Sequence, residues 1–570
     1  MNYLEYQPYR TMNFTINKFQ TIFIGVWVIF NAISSSGQDF GIESQLPYSM
    51  YDLKYNVLID KEINNQYIGD LDVSSLLEKY DGFDYDVRYN QPLQFAEVID
   101  KDYLMNEGKW ENVPDGRIWR LKLSSEEALS INLKLKNVVL PGESRIWLVD
   151  KYSTSISGPY NQNDVTEDGI LWTSIVEGNT VVLELFEDSN FSGQSTLTVD
   201  EVNYGFIDFS TGSSGNCQKD VVCAEGDNFR DPIRAVAWFT IEGRFLGSGT
   251  LLNNTSGDET PFFLTSDHCF KPEFDPASTV IYWNYQSATC GDRSGSLVDN
   301  QIGAQIRARR AVGDFVLLEL KHKPFNFSNV YYAGWDRKNE PVRVVSIHHP
   351  KGDVKSINTS SRKVISTIGY NSDIFDKNGS YWMVNWRSGA NEPVSSGSGM
   401  FDSTSGLLIG SLDGGKSGCD DGDQELNDWY AKFNFNWDGG GEPNNSLKYW
   451  LDPLNTNAEN LSGKNPEIAS QNLIISRKAR FRLNEAAMYA QIVQAADFVK
   501  SGGELRLVEH SEGSSLMPIN QLQETPNDFK DLEKLKEDFD NKTIKELEDL
   551  FKSTDEVKLI EYLKEIKDEK

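Results

Sequence analysis

One short segment decides the fold expected for this chain: FFLTSDHCF, residues 262–270. Its Phe-Phe-Leu run has the apolar, aromatic character of a buried β-strand, and Thr-Ser-Asp ends that strand in a turn. His268 therefore lies at a strand-to-turn junction, where its imidazole can face a cleft. It is one of only five histidines in 570 residues, so a mechanism that needs an imidazole base has few candidates.

Short strand-like runs with period-two alternation surround this segment on both sides. Upstream lie RIWRLKLS (117–124), LSINLKLKNVVL (129–140), SRIWLVDKY (144–152), NTVVLELFED (179–188) and AVAWFTIEG (235–243). Downstream lie STVIYWNYQ (278–286), DFVLLELK (314–321) and PVRVVSIHH (341–349). Their Val, Ile, Trp and Leu residues predict half-buried strands. The sequence thus predicts a mainly β protein, with one short helix near residues 446–451.

The composition indicates a globular protein with several folded units. A chain of 570 residues is too long for one compact core, and 39% hydrophobic against 25% charged residues allows sizeable cores to form. Acidic residues outnumber basic ones by 85 to 55, which gives a formal net charge of −30. This charge repels a phosphate backbone, so we expect no nucleic-acid partner.

The amino terminus has the layout of a secretory signal. Arg10 and Lys18 precede the apolar run IFIGVWVIF at 22–30, and small residues follow at 32–37. The run is well short of the ~20 residues that a membrane-spanning helix needs, and no later segment approaches that length. We therefore predict a signal peptide over residues 1–38 rather than a membrane anchor, and an exported protein without a membrane span.

Shifts in composition divide the rest of the chain into three predicted regions. A β-rich, sandwich-like domain covers residues 39–210 and ends in a Gly- and Ser-rich stretch. A second mainly β domain covers residues 211–462 and holds all five cysteines. Residues 463–570 form a small mixed or helical extension. In it, a helix is expected at 484–499, and a charged amphipathic helical tail at 528–570.

Two more segments of the second β domain place reactive residue types at strand ends and turns. Asp314 opens the apolar strand of GDFVLLEL (313–320), where a carboxylate is costly unless it is hydrogen-bonded. Serines and glycines mix in SSGSG (395–399), which predicts a tight, exposed turn. Each feature alone is common in ordinary turns. Together, the order His, Asp, Ser supplies what acyl transfer needs: a base, a carboxylate that orients it, and a nucleophile beside backbone N–H groups.

These three segments resemble the histidine, aspartate and serine motifs of trypsin-like serine proteases, whose chymotrypsin-like fold is a double β-barrel. The serine motif is SGANEPVSSGSGMFD, residues 388–402. The resemblance is strongest to bacterial lysyl endopeptidases, through WNYQ (283–286), IHHPKGD (347–353) and WLDP (450–453). It covers roughly residues 217–460.

The resemblance implies a role for each matching catalytic residue. His268 would be the general base and Asp314 its orienting carboxylate. Ser396, the serine directly before Gly397, would be the nucleophile. Ser398 takes the place of a glycine in the family motif, so it is not the expected nucleophile.

The expected oxyanion hole departs from the family pattern. It would consist of the backbone N–H groups of Val394 and Ser396. The family normally has glycine at the position of Val394 and proline at that of Gly399. A β-branched residue resists unusual backbone angles and crowds a ligand near the backbone, so the substitution bears on catalytic efficiency although the N–H remains.

Substrate preference has its own signal beyond the serine motif. Asp413, Gly414 and Gly415 resemble the family segment that pairs with an extended substrate, although relatives have His in place of Asp413. Asp428 matches the carboxylate at the base of the lysyl endopeptidase pocket, where a Lys or Arg side chain leaves no charge unpaired. The alternatives are an ordinary acidic loop over residues 420–428 and, more weakly, a calcium site, whose standard spacing this loop does not fit.

All five cysteines lie in one exported domain, which favours disulfides over metal ligation. The resemblance implies the pairs Cys217–Cys419 and Cys223–Cys290. It leaves Cys269 as a buried free thiol, because the position of its usual partner holds no cysteine.

The resemblance also implies processing. Residues 39–210 resemble the pro-region of secreted bacterial proteases, which is removed by a cut, here expected within residues 205–216. Ser395 stands where animal zymogens have the Asp that pairs with a new α-amino group. We therefore expect activation by release of a covering domain instead.

The sequence thus predicts a secreted serine endopeptidase that cleaves protein or peptide substrates after Lys, with Arg as the second candidate. It predicts neither a cofactor nor a metal, and it leaves the oligomeric state open. The alternative is a catalytically impaired, protease-like protein for binding or adhesion, which Val394, Gly399 and the residues after 463 motivate.

Overall fold

The computed structural model describes residues 47–51, 63–81, 92–151, 155–209, 213–324, 329–338, 340–360, 362–419, 427–466, 505–510 and 513–518. By its contacts the chain divides into one unit of residues 62–151 and 155–477 and another of residues 1–61, 152–154 and 478–570. The described elements of the latter unit are the helix Tyr48–Tyr51 and an antiparallel hairpin of Leu505–His510 with Gly513–Pro518. Every sheet described below belongs to the former unit.

Two mainly antiparallel sheets form the amino-terminal part of this unit. The six-stranded sheet has the order Asn65–Tyr67, Gly116–Ser124, Thr180–Asp188, Arg145–Asp150, Ile156–Tyr160, with Lys109–Val113 beside Gly116–Ser124. The five-stranded sheet has the order Val176–Glu177, Ser130–Val139, Thr196–Gly205, Ala96–Leu104, with Leu171–Trp172 beside Ser130–Val139. Alternate apolar residues of both sheets, such as Leu133 and Leu183, belong to one buried cluster, as period-two patterning predicts.

Two further sheets form the region that contains the three motifs. The eight-stranded sheet has the order Asn300–Ile302, Val280–Tyr282, Val236–Ile241, Phe245–Leu252, Phe262–Thr265, Phe315–Leu320, Ala304–Arg310, with Leu93–Gln94 beside Phe245–Leu252. The ten-stranded sheet has the order Ile365–Thr367, Tyr381–Val384, Asp428–Lys432, Leu408–Gly415, Gly399–Asp402, Val344–His348, Ser356–Ser360, Trp386–Ser388. Trp335–Asp336 joins Leu408–Gly415 to Asn460–Leu461.

The helices of this unit are short. The α-helices are Val73–Asp81, Arg230–Ala235, Phe433–Asp438 and Lys448–Leu451. The 3₁₀ turns are Met105–Glu107, Ser189–Phe191, Ala224–Phe229, Asp267–Cys269, Pro276–Ser278, Pro350–Gly352 and Pro443–Asn445. Within the part of the chain that the structure describes, no helix is long and apolar enough to cross a membrane.

The amino-terminal sheets share buried contacts with the eight-stranded sheet. The ring of Phe209 meets that of Trp238 edge-on, with centroids 5.1 Å apart. The backbone N–H of Phe95 donates to the carbonyl of Arg244 at 2.8 Å, and that of Ile175 donates to Tyr282 Oη at 2.8 Å. One hydrophobic cluster includes residues from both parts. Separating them would therefore expose apolar surface, which is unfavourable in water.

Two disulfides join distant parts of the motif-containing region. They are Cys217–Cys419 and Cys223–Cys290, with Cα atoms 5.2 and 4.9 Å apart. These are the pairs that the resemblance implies. Cys269 is buried and unpaired with any described cysteine.

The mainly β fold class is confirmed. Several predicted runs are longer than the strands they contain, and the difference is largest in STVIYWNYQ, whose strand is only Val280–Tyr282. The 3₁₀ turn Pro276–Ser278 precedes it, and Asn284 takes a left-handed φ of 56° beyond it. The signal peptide, the helix at 484–499 and the helical tail at 528–570 lie outside the described residues. The domain boundaries and the sandwich-like character of residues 39–210 remain predictions.

Candidate active site

Strand register brings His268 and Asp314 together. Phe262–Thr265 pairs antiparallel with Phe315–Leu320, and Thr265 stands opposite Val316. One strand ends just before the turn that carries His268, and the other begins just after Asp314. Because antiparallel partners run in opposite directions, both residues lie at the same end of this strand pair.

The carboxylate of Asp314 uses both oxygens to hold His268. Oδ1 accepts the backbone N–H of His268 at 3.0 Å, and Oδ2 lies 2.8 Å from the ring Nδ1. A carboxylate only accepts hydrogen bonds, so this contact places a ring proton on Nδ1; in the neutral imidazole the lone pair is then on Nε2. Asp314 itself sits in a turn with φ of 39° after Gly313, whose φ is 96°.

The surroundings of His268 raise the pKa of its imidazole. Burial disfavours the imidazolium, but the charge and hydrogen bond of Asp314, together with a contribution from Cys269, outweigh burial and raise the pKa of His268 well above its usual value. Its Nε2 is buried and has no hydrogen-bond partner among the described residues. The arrangement is that of an oriented base whose basic nitrogen remains open to a proton donor.

Only one serine in SSGSG (395–399) has an accessible side chain. Ser395 and Ser398 are fully buried. Ser395 Oγ lies 2.7 Å from His348 Nδ1, and Ser398 Oγ lies 3.5 Å from Ser346 Oγ. Ser396 is partly exposed, as a nucleophile must be.

Close backbone packing places Ser396 beside the His268 turn. A β-carbon on Gly397 would lie 2.2 Å from Thr265 Oγ1 and 2.9 Å from the backbone nitrogen of Ser266, so only glycine fits there. The carbonyl of Ser396 accepts the N–H of Ser248 at 3.0 Å. Among the described residues, no hydrogen bond joins Ser396 Oγ to His268 Nε2. The structure therefore joins His268 and Asp314 directly and puts Ser396 next to them.

The loop 394–398 leaves two backbone donors open. The N–H of Ser395 donates to Glu392, that of Gly397 to Leu412 and that of Ser398 to Ser395. Within the described stretches, the N–H groups of Val394 and Ser396 find no acceptor. These are the two donors that the resemblance implies for an oxyanion hole.

Val394 adopts the backbone conformation of the glycine that it replaces. Its φ is 75°, a left-handed value that costs a β-branched residue on the order of 1–3 kcal/mol. Its side chain is buried in the large hydrophobic cluster and does not lie on the open side of the loop. The oxyanion loop is thus strained yet holds its unusual backbone angle.

Asp428 is a fully buried carboxylate held by neutral donors. Trp386 Nε1 donates to it at 2.6 Å, Asn391 Nδ2 at 2.9 Å and the N–H of Ser417 at 3.0 Å. Burial raises its pKa to about 6, although these donors oppose the shift. No ion pair among the described residues includes Asp428. A β-carbon on Gly415 would lie 1.8 Å from Asp428 Oδ1, so glycine is required beside the carboxylate.

Asp413 lies apart from this carboxylate and faces His268 and Asp314 instead. Carboxyl oxygens of Asp413 and Asp314 and a ring nitrogen of His268 all lie within 4.8 Å of one another. Tyr381 Oη donates to Asp413 Oδ2 at 2.6 Å. These side chains are of the types that ligate metals, but Nδ1 of His268 and Oδ2 of Asp314 already form a direct hydrogen bond with each other.

The motifs did not predict the roles of several contributing residues, although Asn391 itself lies within the serine motif at 388–402. Trp386, Asn391 and Ser417 hold Asp428, and Tyr381 holds Asp413. No spacing links them to these carboxylates, because the contacts arise from strand pairing between remote segments. The aromatic-rich run YWMVNW at 381–386 was the one signal, since two of its residues reach the two carboxylates.

Comparisons with known proteins find similarity in the region that contains the three motifs. A family model described as "Lysyl endopeptidase, C-terminal domain" matches residues 211–431. The lysyl endopeptidase of Pseudomonas aeruginosa is 29% identical over 362 residues, covering 57% of this chain and 75% of that protein. Among solved structures, the Rv3671c protease from M. tuberculosis in its active form is 13% identical, covering 40% of this chain and 86% of its own, with a TM-score of 0.25. The HtrA-type protease AlgW with a tripeptide is 18% identical, covering 37% of this chain and 60% of its own, with a TM-score of 0.25.

The matched stretch holds every residue predicted for catalysis and for recognition of Lys. Over residues 211–431 the chain is therefore similar to the lysyl endopeptidases.

Proposed function

We propose that this protein is a secreted serine endopeptidase that hydrolyses peptide bonds after Lys. The observation that carries the proposal is the pair of His268 and Asp314, with Nδ1 and Oδ2 2.8 Å apart and Nε2 unpartnered among the described residues. Gly397, which follows the one accessible serine of SSGSG, packs against Thr265 and Ser266 just before His268. The similarity to lysyl endopeptidases supports the same reaction class.

The proposed chemistry follows from these positions. Nε2 of His268 takes the proton of Ser396 Oγ while that oxygen attacks the scissile carbonyl carbon and forms a tetrahedral intermediate. Asp314 keeps the ring in the right tautomer and stabilises the imidazolium. His268 then gives the proton to the leaving amine, and an acyl-enzyme on Ser396 remains. Water hydrolyses the ester by the same two proton transfers.

The oxyanion of each tetrahedral intermediate would bind the N–H groups of Val394 and Ser396. Both donors lack an acceptor within the described residues, so no bond of the protein has to break first. Removing one donor of such a site typically costs about 10²–10³ in kcat. The strained φ of Val394 is the expected cost of keeping its N–H in this arrangement.

Asp428 supports the proposed preference for Lys. Neutral donors satisfy its oxygens but leave its negative charge uncompensated among the described residues. A substrate Lys side chain would supply the missing positive charge, whereas an uncharged side chain would not. Arg is the second candidate, since its guanidinium carries the same charge on a larger group.

The amino-terminal region enters the proposal as a pro-region behind a secretory signal. The similarity to a lysyl endopeptidase supports export, as do the apolar run at 22–30 and the disulfides. Maturation would cut the chain within residues 205–216. The buried contacts across this boundary oppose simple release of the amino-terminal part.

The test compares two serine variants of the full chain. We expect Ser396→Ala to lose about 10⁴-fold or more in kcat against a chromogenic Lys ester, and to lose labelling by a fluorophosphonate. Ser398→Ala is the matched control, because it removes a hydroxyl from the same loop at a buried position. Equal rates in wild type and Ser396→Ala would reject the proposal. For the active wild type, mass spectrometry of the peptides that it cuts from a denatured protein would report the residue before each cut.

A protease-like binding protein is the second candidate, and the strained Val394 favours it. If the loop cannot hold an oxyanion, the wild-type chain would bind Lys-containing peptides without cleaving them. Absence of both fluorophosphonate labelling and ester hydrolysis in the wild type, together with retained peptide binding, would select this function.

A further inference from the structure

Asp413 sits at an irregularity in the sheet that changes where its side chain points. Along the paired strands, Leu412 stands opposite Tyr430 but Gly414 stands opposite Trp429, so Asp413 is the extra residue of a β-bulge. Bulges re-aim a side chain relative to the regular alternation. Here the bulge directs the carboxyl group of Asp413 to the candidate triad and away from Asp428.

The neighbours of Asp413 are all groups of the candidate triad or hold it in place. The titratable groups that face it are Asp314, His268 and Tyr381. Tyr381 Oη donates to Oδ2 of Asp413 at 2.6 Å, and carboxyl oxygens of Asp413 and Asp314 lie within 4.8 Å of each other. Asp413 and Asp314 are both buried. Two adjacent buried carboxyl groups cannot both carry a charge cheaply, so the pair retains one proton.

The hydrogen bonds decide which carboxyl group holds that proton. Asp314 accepts two N–H groups of His268, so it acts as the carboxylate. A hydrogen bond between the two carboxyl groups then needs a proton on Asp413. Burial, followed by the charge of Asp314, raises the pKa of Asp413 to about 8, which agrees with a protonated group at neutral pH.

We propose that Asp413 is a positioning residue of the triad: its protonated carboxyl group donates a hydrogen bond to Asp314 and so fixes that carboxylate against His268. This inference rests on the proposed function of His268, Asp314 and Ser396. It replaces the substrate-binding role that the sequence motif implies for Asp413. Tyr381 in turn holds Asp413 by its hydrogen bond. The strand of Tyr381 and the strand of Asp413 both pair with Asp428–Lys432, one on each side.

The arrangement makes catalysis sensitive to alkaline pH. When Asp413 loses its proton, Asp314 loses a donor and a second negative charge appears near His268. That charge stabilises the imidazolium, which cannot accept the proton of Ser396. We therefore expect kcat to fall at alkaline pH as Asp413 ionises.

Two substitutions of Asp413 separate positioning from substrate binding. In Asp413→Ala the donor to Asp314 is lost, and we expect kcat for a Lys ester to fall roughly tenfold or more with KM changed by less than about threefold. In Asp413→Asn the amide N–H₂ still donates but does not titrate. We expect it to keep more of kcat than the Ala variant and to lose the alkaline limb of the kcat profile.

Tyr381→Phe is a control for which the direction of the change in the Asp413 pKa is predicted. Its hydroxyl stabilises the ionised form of Asp413, so its removal raises the pKa of Asp413 and should move the alkaline limb to higher pH. An alkaline limb that is the same in wild type, Asp413→Asn and Tyr381→Phe would overturn the proposal. So would a higher KM at unchanged kcat in Asp413→Ala, because that result marks a substrate contact.

A second measurement does not depend on activity. NMR titration of His268 on the Ser396→Ala background should show two coupled steps, and a single step when Asp413→Asn is added. The same single step in both proteins would overturn the proposal. Fluorophosphonate labelling of the wild type tests the proposed function separately, so failure of one is distinguishable from failure of the other.

Discussion

Replacing Asp428 by Ser should abolish the preference for Lys without removing the catalytic chemistry. The carboxylate is fully buried, and its charge has no cationic partner within the described residues. A bound substrate Lys would form a buried ion pair with it. Breaking such a pair from one side costs about 3–5 kcal/mol, which corresponds to roughly 10²- to 4 × 10³-fold in kcat/KM.

The assay compares two ester substrates that differ only in the residue before the cleaved bond, Lys in one and Met in the other. We expect the Lys-to-Met ratio of kcat/KM to fall by roughly 10²- to 4 × 10³-fold in Asp428→Ser, with kcat/KM for the Met substrate nearly unchanged. Asp402→Ser is the matched control. That carboxylate is also buried and accepts backbone N–H groups, but in the turn after Gly399–Asp402. A ratio that stays at the wild-type value in Asp428→Ser would refute the pocket assignment.

The pH dependence of the same ratio checks the cause. The pKa of Asp428 is raised to about 6, so the carboxylate is charged above pH 6 and becomes neutral as the pH falls through that value. We expect KM for the Lys substrate to rise below pH 6, while KM for the Met substrate stays level. A parallel rise for both substrates would mean that another group titrates.

Two further predictions concern the framework of the site. Loss of the Cys217–Cys419 bond by double substitution to Ser should lower the free energy of unfolding by up to about 5 kcal/mol, because the bond closes a loop with a sequence separation of 202; denaturant unfolding measures this, and an unchanged midpoint would contradict it. A single cut within residues 205–216 should leave the two fragments associated, because Phe209 and its neighbours bury apolar surface against the eight-stranded sheet. Size-exclusion chromatography without denaturant would show one peak, and two separate peaks would favour activation by release.

Local chemistry was enough to predict most strands. The run at 179–188 is rich in Val, Leu and Phe, and the structure has a strand over Thr180–Asp188. Both faces of that strand are largely buried, so its composition marks it more than strict alternation does. The run at 235–243 also contains a strand, but it starts at Val236 because Arg230–Ala235 is helical. Strand ends depend on neighbouring turns, which periodicity alone does not report.

The meeting of two reactive side chains also follows from the motifs. His268 and Asp314 lie in segments whose strands pair, so their meeting follows from two local patterns and one antiparallel register. The choice of Ser396 over Ser398 came from the match to the family motif, in which Ser398 takes the place of a glycine. Burial of Ser398 agrees with that choice for an independent reason.

The amino-acid sequence by itself determined the β-strand pattern, the reactive residue types and their order, because these depend on side-chain chemistry and on contacts within a few residues. Tertiary structure alone decided which buried carboxyl group serves which purpose. Asp413 and Asp428 look alike in the sequence, yet a bulge turns one toward His268, while Trp386 and Asn391 from other segments enclose the other. The protonation and charge of a carboxyl group depend on burial and on the charges around it, and only the folded chain brings those groups together.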